Sequence, residues 1–246
     1  MSALAGKAAL VTGGSRGIGR AIVERLAGDG AAVLFSYREN RTAADEVLAA
    51  ARELPGSAQA AQADLGDLTA TRRLFASAED WLGGLDILVN NVGVGARFNF
   101  AELTDEQYEQ VMNTNTRATF ALIQEAARRL RDGGRIVNVS TINTVYPAAG
   151  IALYAASKAA IEQFTAVAAV ELGERQITVN TVSPGFTDTD LLRRSAGLEA
   201  LPALAAASPL GRLGSPTDIA DTVAFLVSEE GGWMTGQNLR ASGGVV

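Results

Sequence analysis

Apolar residues in this chain fall in short unbroken runs, separated by longer stretches where they recur every three or four positions. Ala8–Val11, Ala31–Ser36, Leu85–Val89, Arg135–Ser140 and Ile177–Val182 have the pattern of strands buried on both faces, and Ser57–Ala63 reads as a weaker one. Between them lie helical patterns. One follows Gly19, with Ala21, Ile22, Val23 and Leu26 on a face. Others run over Asn40–Leu54 (stopped by Pro55-Gly56), Leu68–Leu82, from the capping box Thr104–Gln107 to about Leu130, and Ile151–Leu172. Alternating strands and helices predict an α/β fold, a parallel sheet covered on both faces. No repeat or linker interrupts the pattern, so residues 1–246 are expected to form a single domain.

The first strand must turn at once into a helix through Thr12–Gly19, where Gly13, Gly17 and Gly19 recur as Gly-x-x-x-Gly-x-Gly. Glycine accepts left-handed angles and lets another backbone or a phosphate approach, and the first helical turn offers unpaired N–H groups to an anion. The turn therefore reads as a phosphate-binding site for a nucleotide. It lacks the Lys-Ser/Thr ending of a P-loop, which disfavours a kinase or NTPase. The second strand ends Phe35-Ser36-Tyr37-Arg38 with no carboxylate at the tip to bond a ribose 2′-hydroxyl, and Arg16 is a second cation nearby. As a pair of surface charges the two arginines need no ligand, but their placement favours the 2′-phosphate of NADPH.

Composition narrows the chemistry. The chain has no cysteine and no histidine, which removes disulfides, thiol catalysis, Ser-His-Asp chemistry and zinc sites built on imidazole or thiolate. No metal is expected, and acid–base work falls to Tyr, Lys, Asp or Glu. A net charge of −6 with scattered signs argues against a nucleic-acid or membrane-surface partner. With no signal-peptide pattern and no apolar run of spanning length, a cytoplasmic location is expected.

Tyr154 and Lys158 are four apart in a helix, so phenol and ammonium share one face. A nearby cation favours the phenolate, which predicts a lowered Tyr154 pKa and an acid–base role. Asn90 and Asn91 end the fourth strand, where their amides can tie neighbouring backbone. Asn113–Thr116 place poor helix formers in mid-helix, either facing solvent or set there for a purpose. Asp64 either opens the following helix or reaches a nucleotide's adenine.

Taken together, Thr12–Gly19, Asp64-Leu65, Asn90–Gly93, Asn115, Tyr154 with Lys158, Ser183–Gly185 with Thr189, and Thr235–Gln237 resemble the short-chain dehydrogenase/reductase family along essentially the whole chain. Pro209–Arg212, Gly214, Pro216 and Asp218–Ala220 are similar to the carboxy-terminal signature of bacterial 3-oxoacyl-acyl-carrier-protein reductases. The resemblance implies a Rossmann-type doubly wound sheet and a homotetramer packed through Thr104–Leu130 and Ile151–Leu172. It implies that Tyr154 trades the proton with the carbonyl oxygen, that Lys158 tunes it and holds the nicotinamide ribose, and that Asn115 holds a water linked to Lys158. It places Gly13, Ser15, Gly17, Ile18 and Gly19 at the pyrophosphate, Arg16 and Arg38 at the 2′-phosphate, and Asp64 and Leu65 at the adenine. Asn91 and Gly93 fall at the adenosine ribose, and Pro184, Gly185, Thr187 and Thr189 at the nicotinamide.

The family's serine, thirteen positions before Tyr154, is here Thr141, with Ser140 as a rival hydroxyl; Val92 and Ser242 are further departures. Val94–Phe100, Asn143–Gly150 and the segment over Phe186–Leu210 are expected to wall the pocket. Their mostly apolar residues suit a hydrophobic ketone or a 3-oxoacyl thioester. Arg97 reads as rim, and Arg128, Arg129 and Arg131 as cations on a helix dipole rather than a carrier-protein dock. The activity expected is NADPH-dependent carbonyl reduction, against an oxidative alcohol dehydrogenase or a non-catalytic nucleotide-binding scaffold.

Overall fold

The computed structural model describes residues 3–95 and 97–246. Seven parallel strands, β1 (Ala8–Val11), β2 (Ala32–Tyr37), β3 (Ser57–Gln62), β4 (Ile87–Asn90), β5 (Arg135–Val139), β6 (Thr178–Pro184) and β7 (Asn238–Ala241), form one sheet in the order β3-β2-β1-β4-β5-β6-β7. The order reverses between β1 and β4, so a crevice opens at their carboxyl ends. This is the doubly wound Rossmann arrangement.

Each strand feeds two cores because side chains alternate across the sheet. Val11, Val33, Phe35, Val89 and Val137 pack with α1 (Gly17–Gly28), α2 (Arg41–Ala51) and α9 (Pro216–Val227) on one face. Leu10, Leu34, Leu88, Ile136 and Val179 pack with α3 (Leu68–Leu82), α5 (Ala118–Arg129) and α6 (Ala152–Glu171) on the other. Both clusters are fully buried at their centres, which is why these strands read as unbroken apolar runs.

Three differences from the sequence pattern have local causes. The helix expected from Thr104 to Leu130 is divided: α4 (Asp105–Val111) passes through a π-helical turn, Met112–Arg117, before α5. The polar cluster Asn113–Thr116 occupies that turn, with Asn115 buried inside. A wider turn redirects backbone groups, and side-chain bonds offset what the regular ladder loses. The segment over Phe186–Leu210 is not open loop but carries two short helices, α7 (Asp190–Ala196) and α8 (Leu201–Ala207). The pattern also missed α9 and β7. The signal for α9 was present in the Ser215/Asp218 capping box with Pro216 at the first position, whereas β7, Asn-Leu-Arg-Ala at the sheet edge, has no apolar run.

The two ends of the sheet are fastened differently. At the amino end, the Asp86 carboxylate accepts from Ala8 N–H at 2.8 Å and from the Arg131 guanidinium at 2.9 Å. At mid-sheet, Asn90 Nδ2 donates to Asn138 Oδ1 (2.8 Å), Asn138 Nδ2 donates to Thr165 Oγ1 (2.8 Å), and Thr181 Oγ1 donates to the same threonine (2.8 Å). No helix among the described residues is long and apolar enough to cross a membrane.

Asn138 is the hub of that buried chain. Asn138→Ala leaves the Asn90 amide and the Thr165 hydroxyl short of a partner inside the core, and should cost about 2–3 kcal/mol of stability. Urea unfolding of the variant against the wild type measures it.

Candidate active site

The glycine turn after β1 is built from close approaches. Gly13 takes φ 68°, and a Cβ there would stand 2.8 Å from Val92 Cγ2. A Cβ on Gly19 would stand 2.1 Å from the Gly13 carbonyl oxygen, so no side chain fits. Ser36 at the end of β2 holds the turn from one side, through Gly13 N–H to its Oγ (3.0 Å) and Gly14 N–H to its carbonyl (2.9 Å). Asn91 holds it from the other, its amide donating to the carbonyls of Thr12 (3.0 Å) and Gly13 (3.2 Å). The Asn91 side chain is thus spent on shaping the turn, as the strand-end reading expected.

Helix α1 starts from Arg16 in an extended conformation with no side chain capping it, which leaves first-turn N–H groups of Gly17, Ile18 and Gly19 facing the crevice. Ser15 is half-buried in the turn, and Arg16 is exposed. Arg38 is exposed at the tip of β2, and its guanidinium meets only Glu39 at 2.9 Å, an exposed pair that is cheap to break. Asp64 accepts from Gly66 N–H (2.9 Å), the cap of α3 being Asp67, and Leu65 is buried below it.

Four elements deliver the reactive groups. Tyr154 and Lys158 stand on α6. Lys158 is 2% exposed, and its ammonium donates to the carbonyls of Val139 at the end of β5 (2.9 Å) and Val92 beyond β4 (3.4 Å). Burial pulls the ammonium pKa down to about 8. Tyr154 stands near enough to Thr141 for the hydroxyl to act on its phenol, and its ring lies 3.2 Å from where a Gly95 Cβ would be. Burial raises the phenol above its ordinary value while the Thr141 hydroxyl pulls the other way. This corrects the expectation of a lowered Tyr154 pKa. The ammonium is aimed at two main-chain carbonyls, and desolvation is the larger of the causes acting on the phenol.

Thr141 and Ser140 point to different places. Thr141 Oγ1 accepts from Asn143 N–H (3.3 Å), donates to Asn143 Oδ1 (3.2 Å) and meets Tyr154. Ser140 Oγ donates to Glu162 Oε1 (2.7 Å), one turn of α6 beyond Lys158. The hydroxyl beside the phenol is therefore the threonine's.

Asn115 fills its amide with protein partners. Its Nδ2 donates to the Val94 carbonyl (2.9 Å) and to Ser157 Oγ (2.9 Å), and its Oδ1 accepts from Val94 N–H (2.8 Å). Both amide hydrogens go to protein partners, and the side chain pins the segment that carries Gly93 and Gly95 against α6. A Cβ on Gly93 would stand 3.0 Å from Lys158 Nζ, so the glycine lets that segment close on the ammonium. Sequence reasoning passed over Ser157 and Asn143, although Ser157 lies inside the Tyr-x-x-x-Lys span and its neighbours were weighed.

Beyond β6, Pro184 is buried and Gly185 packs on Ser242, with 2.7 Å from its would-be Cβ to Ser242 Cα. The Thr187 hydroxyl donates to the Gly185 carbonyl (3.2 Å). The Thr189 hydroxyl caps α7 by accepting from Leu192 N–H (3.3 Å), and its methyl would lie 3.5 Å from a Gly17 Cβ. The segment after β6 thus reaches across the crevice to the glycine turn. Val94–Phe100 joins the wall through Phe98 N–H to the Gly150 carbonyl (2.8 Å); Ala96 of that segment lies outside the described residues. Arg97 is exposed and donates to the Ala149 carbonyl at 3.4 Å.

The comparisons with known proteins agree with this geometry. Residues 13–246 match the family model described as enoyl-(acyl carrier protein) reductase. An oxidoreductase from Methylorubrum extorquens is 42% identical over 247 residues, covering 100% of both chains. The chain belongs to the short-chain dehydrogenase/reductase family. A hydroxynaphthalene reductase-like protein from Metarhizium majus is 42% identical over 258 residues, covering 99% of this chain and 96% of its own. The crystal structure of a short-chain dehydrogenase from Burkholderia cenocepacia in complex with NADP superposes with a TM-score of 0.94 at 43% identity, covering 99% of both chains. This short-chain oxidoreductase has the family's fold from end to end.

The buried ammonium has a sign that pH reveals. Its folded pKa, about 8, lies below the unfolded value near 10.5, so the unfolded chain binds more protons between them and stability rises with pH across that window. Lys158→Met lacks this term. The unfolding free energy of wild type relative to the variant should grow by about 2 kcal/mol from pH 7 to pH 10. Denaturant titrations of both proteins at the two pH values check it.

Proposed function

We propose that this oxidoreductase is an NADPH-dependent carbonyl reductase acting on a hydrophobic ketone, with Tyr154 as proton donor. The observation that carries the reading is Tyr154 set one helical turn from a buried Lys158, whose ammonium holds the carbonyls of Val139 and Val92 at the carboxyl rim of the sheet. The crevice fits a dinucleotide. The glycine turn excludes any Cβ at Gly19, the first turn of α1 is uncapped, and Arg16 and Arg38 are exposed at the side where a 2′-phosphate would sit. The Burkholderia cenocepacia relative, solved with NADP, supports the same choice.

When bound, the nicotinamide supplies or accepts a hydride. The chain does the rest. Gly13, Ser15, Gly17, Ile18 and Gly19 hold the pyrophosphate, Asp64 and Leu65 border the adenine, and the main chain of Asn91 and Gly93 lines the adenosine ribose. Pro184, Gly185, Thr187 and Thr189 close over the nicotinamide end. Lys158 would donate to a ribose hydroxyl with the one hydrogen its two carbonyl bonds leave free. With substrate present the Thr141 hydroxyl would turn its one hydrogen from Asn143 Oδ1 to the substrate carbonyl and orient that carbonyl towards the Tyr154 hydroxyl. A phenol raised by burial is a proton held ready for delivery, which suits reduction. In the opposite direction the same phenol would need to lose its proton first, which burial opposes.

Substrate reading favours a free ketone over a carrier-bound thioester. Arg129 pairs with Glu79 and Glu125, Arg128 with Glu125, and Arg131 with Asp86, so these cations are already committed within the chain. The likeness to a hydroxynaphthalene reductase-like protein of Metarhizium majus supports a ring substrate as well. A non-catalytic scaffold would have no use for a charge buried at this cost. For assembly, Phe120, Val167 and Val170 leave an exposed apolar face on α5 and α6, which supports a homotetramer built through those helices.

Tyr154→Phe should abolish ketone reduction while NADPH still binds, by fluorescence titration. Thr141→Ala should lower kcat about 100-fold and Ser140→Ala should leave it within a few-fold; the reverse order would move the hydroxyl assignment. Removing both Arg16 and Arg38 as alanines should erase a preference for NADPH over NADH of about 100-fold. An enzyme that prefers NADH at the outset would overturn the cofactor reading.

A further inference from the structure

Two aromatic side chains meet across the mouth of the crevice. Tyr146 comes from the turn between β5 and α6, five residues after Thr141. Phe186 comes from the end of β6, two residues after Pro184. Their ring centroids are 6.0 Å apart with planes at 83°, an edge-to-face contact between two separate loops. Tyr146 is 39% exposed and Phe186 half-buried, so the pair keeps aromatic surface free.

The pair is fixed rather than draped. Asn143, whose side chain accepts from the Thr141 hydroxyl, donates from Nδ2 to the Tyr146 carbonyl (3.1 Å), and Tyr146 N–H bonds the Ile142 carbonyl (2.8 Å). Phe186 is held by Gly214 N–H to its carbonyl (2.9 Å), beside the Thr187–Gly214 bridge. The ends of β5 and β6 are adjacent, with Ser140 N–H on the Val182 carbonyl, so both rings leave the sheet side by side next to Thr141. The 6.0 Å separation leaves no room for a ring between them. A third ring can instead lie face-on to one and meet the edge of the other.

From this we infer that Tyr146 and Phe186 form a recognition wall for an aromatic ring fused or joined directly to the ketone, and that they set the enzyme's preference for flat aromatic ketones over aliphatic ones. The inference rests on the carbonyl-reductase reading for its reacting group but not for its binding geometry. A rigid bicyclic ketone would present its carbonyl to Thr141 and Tyr154 while its remote ring packs on the pair. An alkyl ketone of equal carbon number gains only the area term and no ring geometry.

The test uses the full chain with NADPH or NADP, the probes 2-tetralone, 2-decanone and 2-naphthol, and the variants Phe186→Leu and Tyr146→Leu. In turnover, kcat/KM for 2-tetralone should fall about ten-fold in each variant, mainly through KM, while that for 2-decanone stays within two-fold. In equilibrium dialysis against the NADP complex, the Kd of 2-naphthol should rise about ten-fold in each. Unchanged naphthol affinity in both variants, or equal losses on tetralone and decanone, would overturn the wall. If no ketone is turned over by the wild type but naphthol binding still weakens in the variants, the carbonyl-reductase reading fails and the wall stands. NADPH affinity of each variant, read by fluorescence, should match the wild type and reports that the fold is intact.

Discussion

A lysine charge cannot be taken out of water without partners, and that requirement organises the reactive end of this protein. The Lys158 ammonium is satisfied by carbonyls from two different strands' ends, Val139 and Val92. Holding both at once fixes how α6 lies on β5 and how closely the segment after β4 approaches. The same helix then has no freedom in where it puts Tyr154. Gly93 and Gly95 are small because the ammonium and the phenol ring occupy the space a side chain would need.

The π-helical turn at Asn115 completes that geometry from the opposite side. An ordinary helix from Thr104 would carry Asn115 without its extra turn of chain; the wide turn sets its amide against Val94 and Ser157. Thr119 bonds the Asn115 carbonyl and Thr116 bonds that of Ser157, so the irregular turn is tied at several points. Backbone irregularity here is held by side chains that the helix propensity scale counts as poor, which is the cost of placing a polar clamp in a buried position.

Much of this was legible in the chain before any coordinates. The apolar runs located six strands because a strand buried on both faces cannot alternate, and Gly13, Gly17 and Gly19 marked the crevice because only glycine meets their steric demands. What periodicity could not show were elements defined by their neighbours. β7 takes its identity from β6, and the π turn takes its from Val94 and Ser157. The site residues divide the same way. Tyr154 and Lys158 were visible from spacing on one helix. The tying of backbone by Asn91 was legible from its place at a strand end, though not its partner Thr12, 79 residues away; the spending of Asn115 on Val94, 21 residues away, was not legible at all. The direction of the Tyr154 shift was missed for a related reason, since a sequence gives the nearest charge but not the depth of burial.

Asp86 gathers Ala8 and Arg131 at the amino end of the sheet, the full length of the strands away from Thr141 and Tyr154. Chemistry and anchorage therefore occupy opposite rims of one sheet. Changes of sequence at the carboxyl rim can explore new substrates while the amino rim keeps the chain folded, and reinforcement of the amino rim need not be repaid in lost turnover. A scaffold divided in this way can diversify at one edge without renegotiating its foundations.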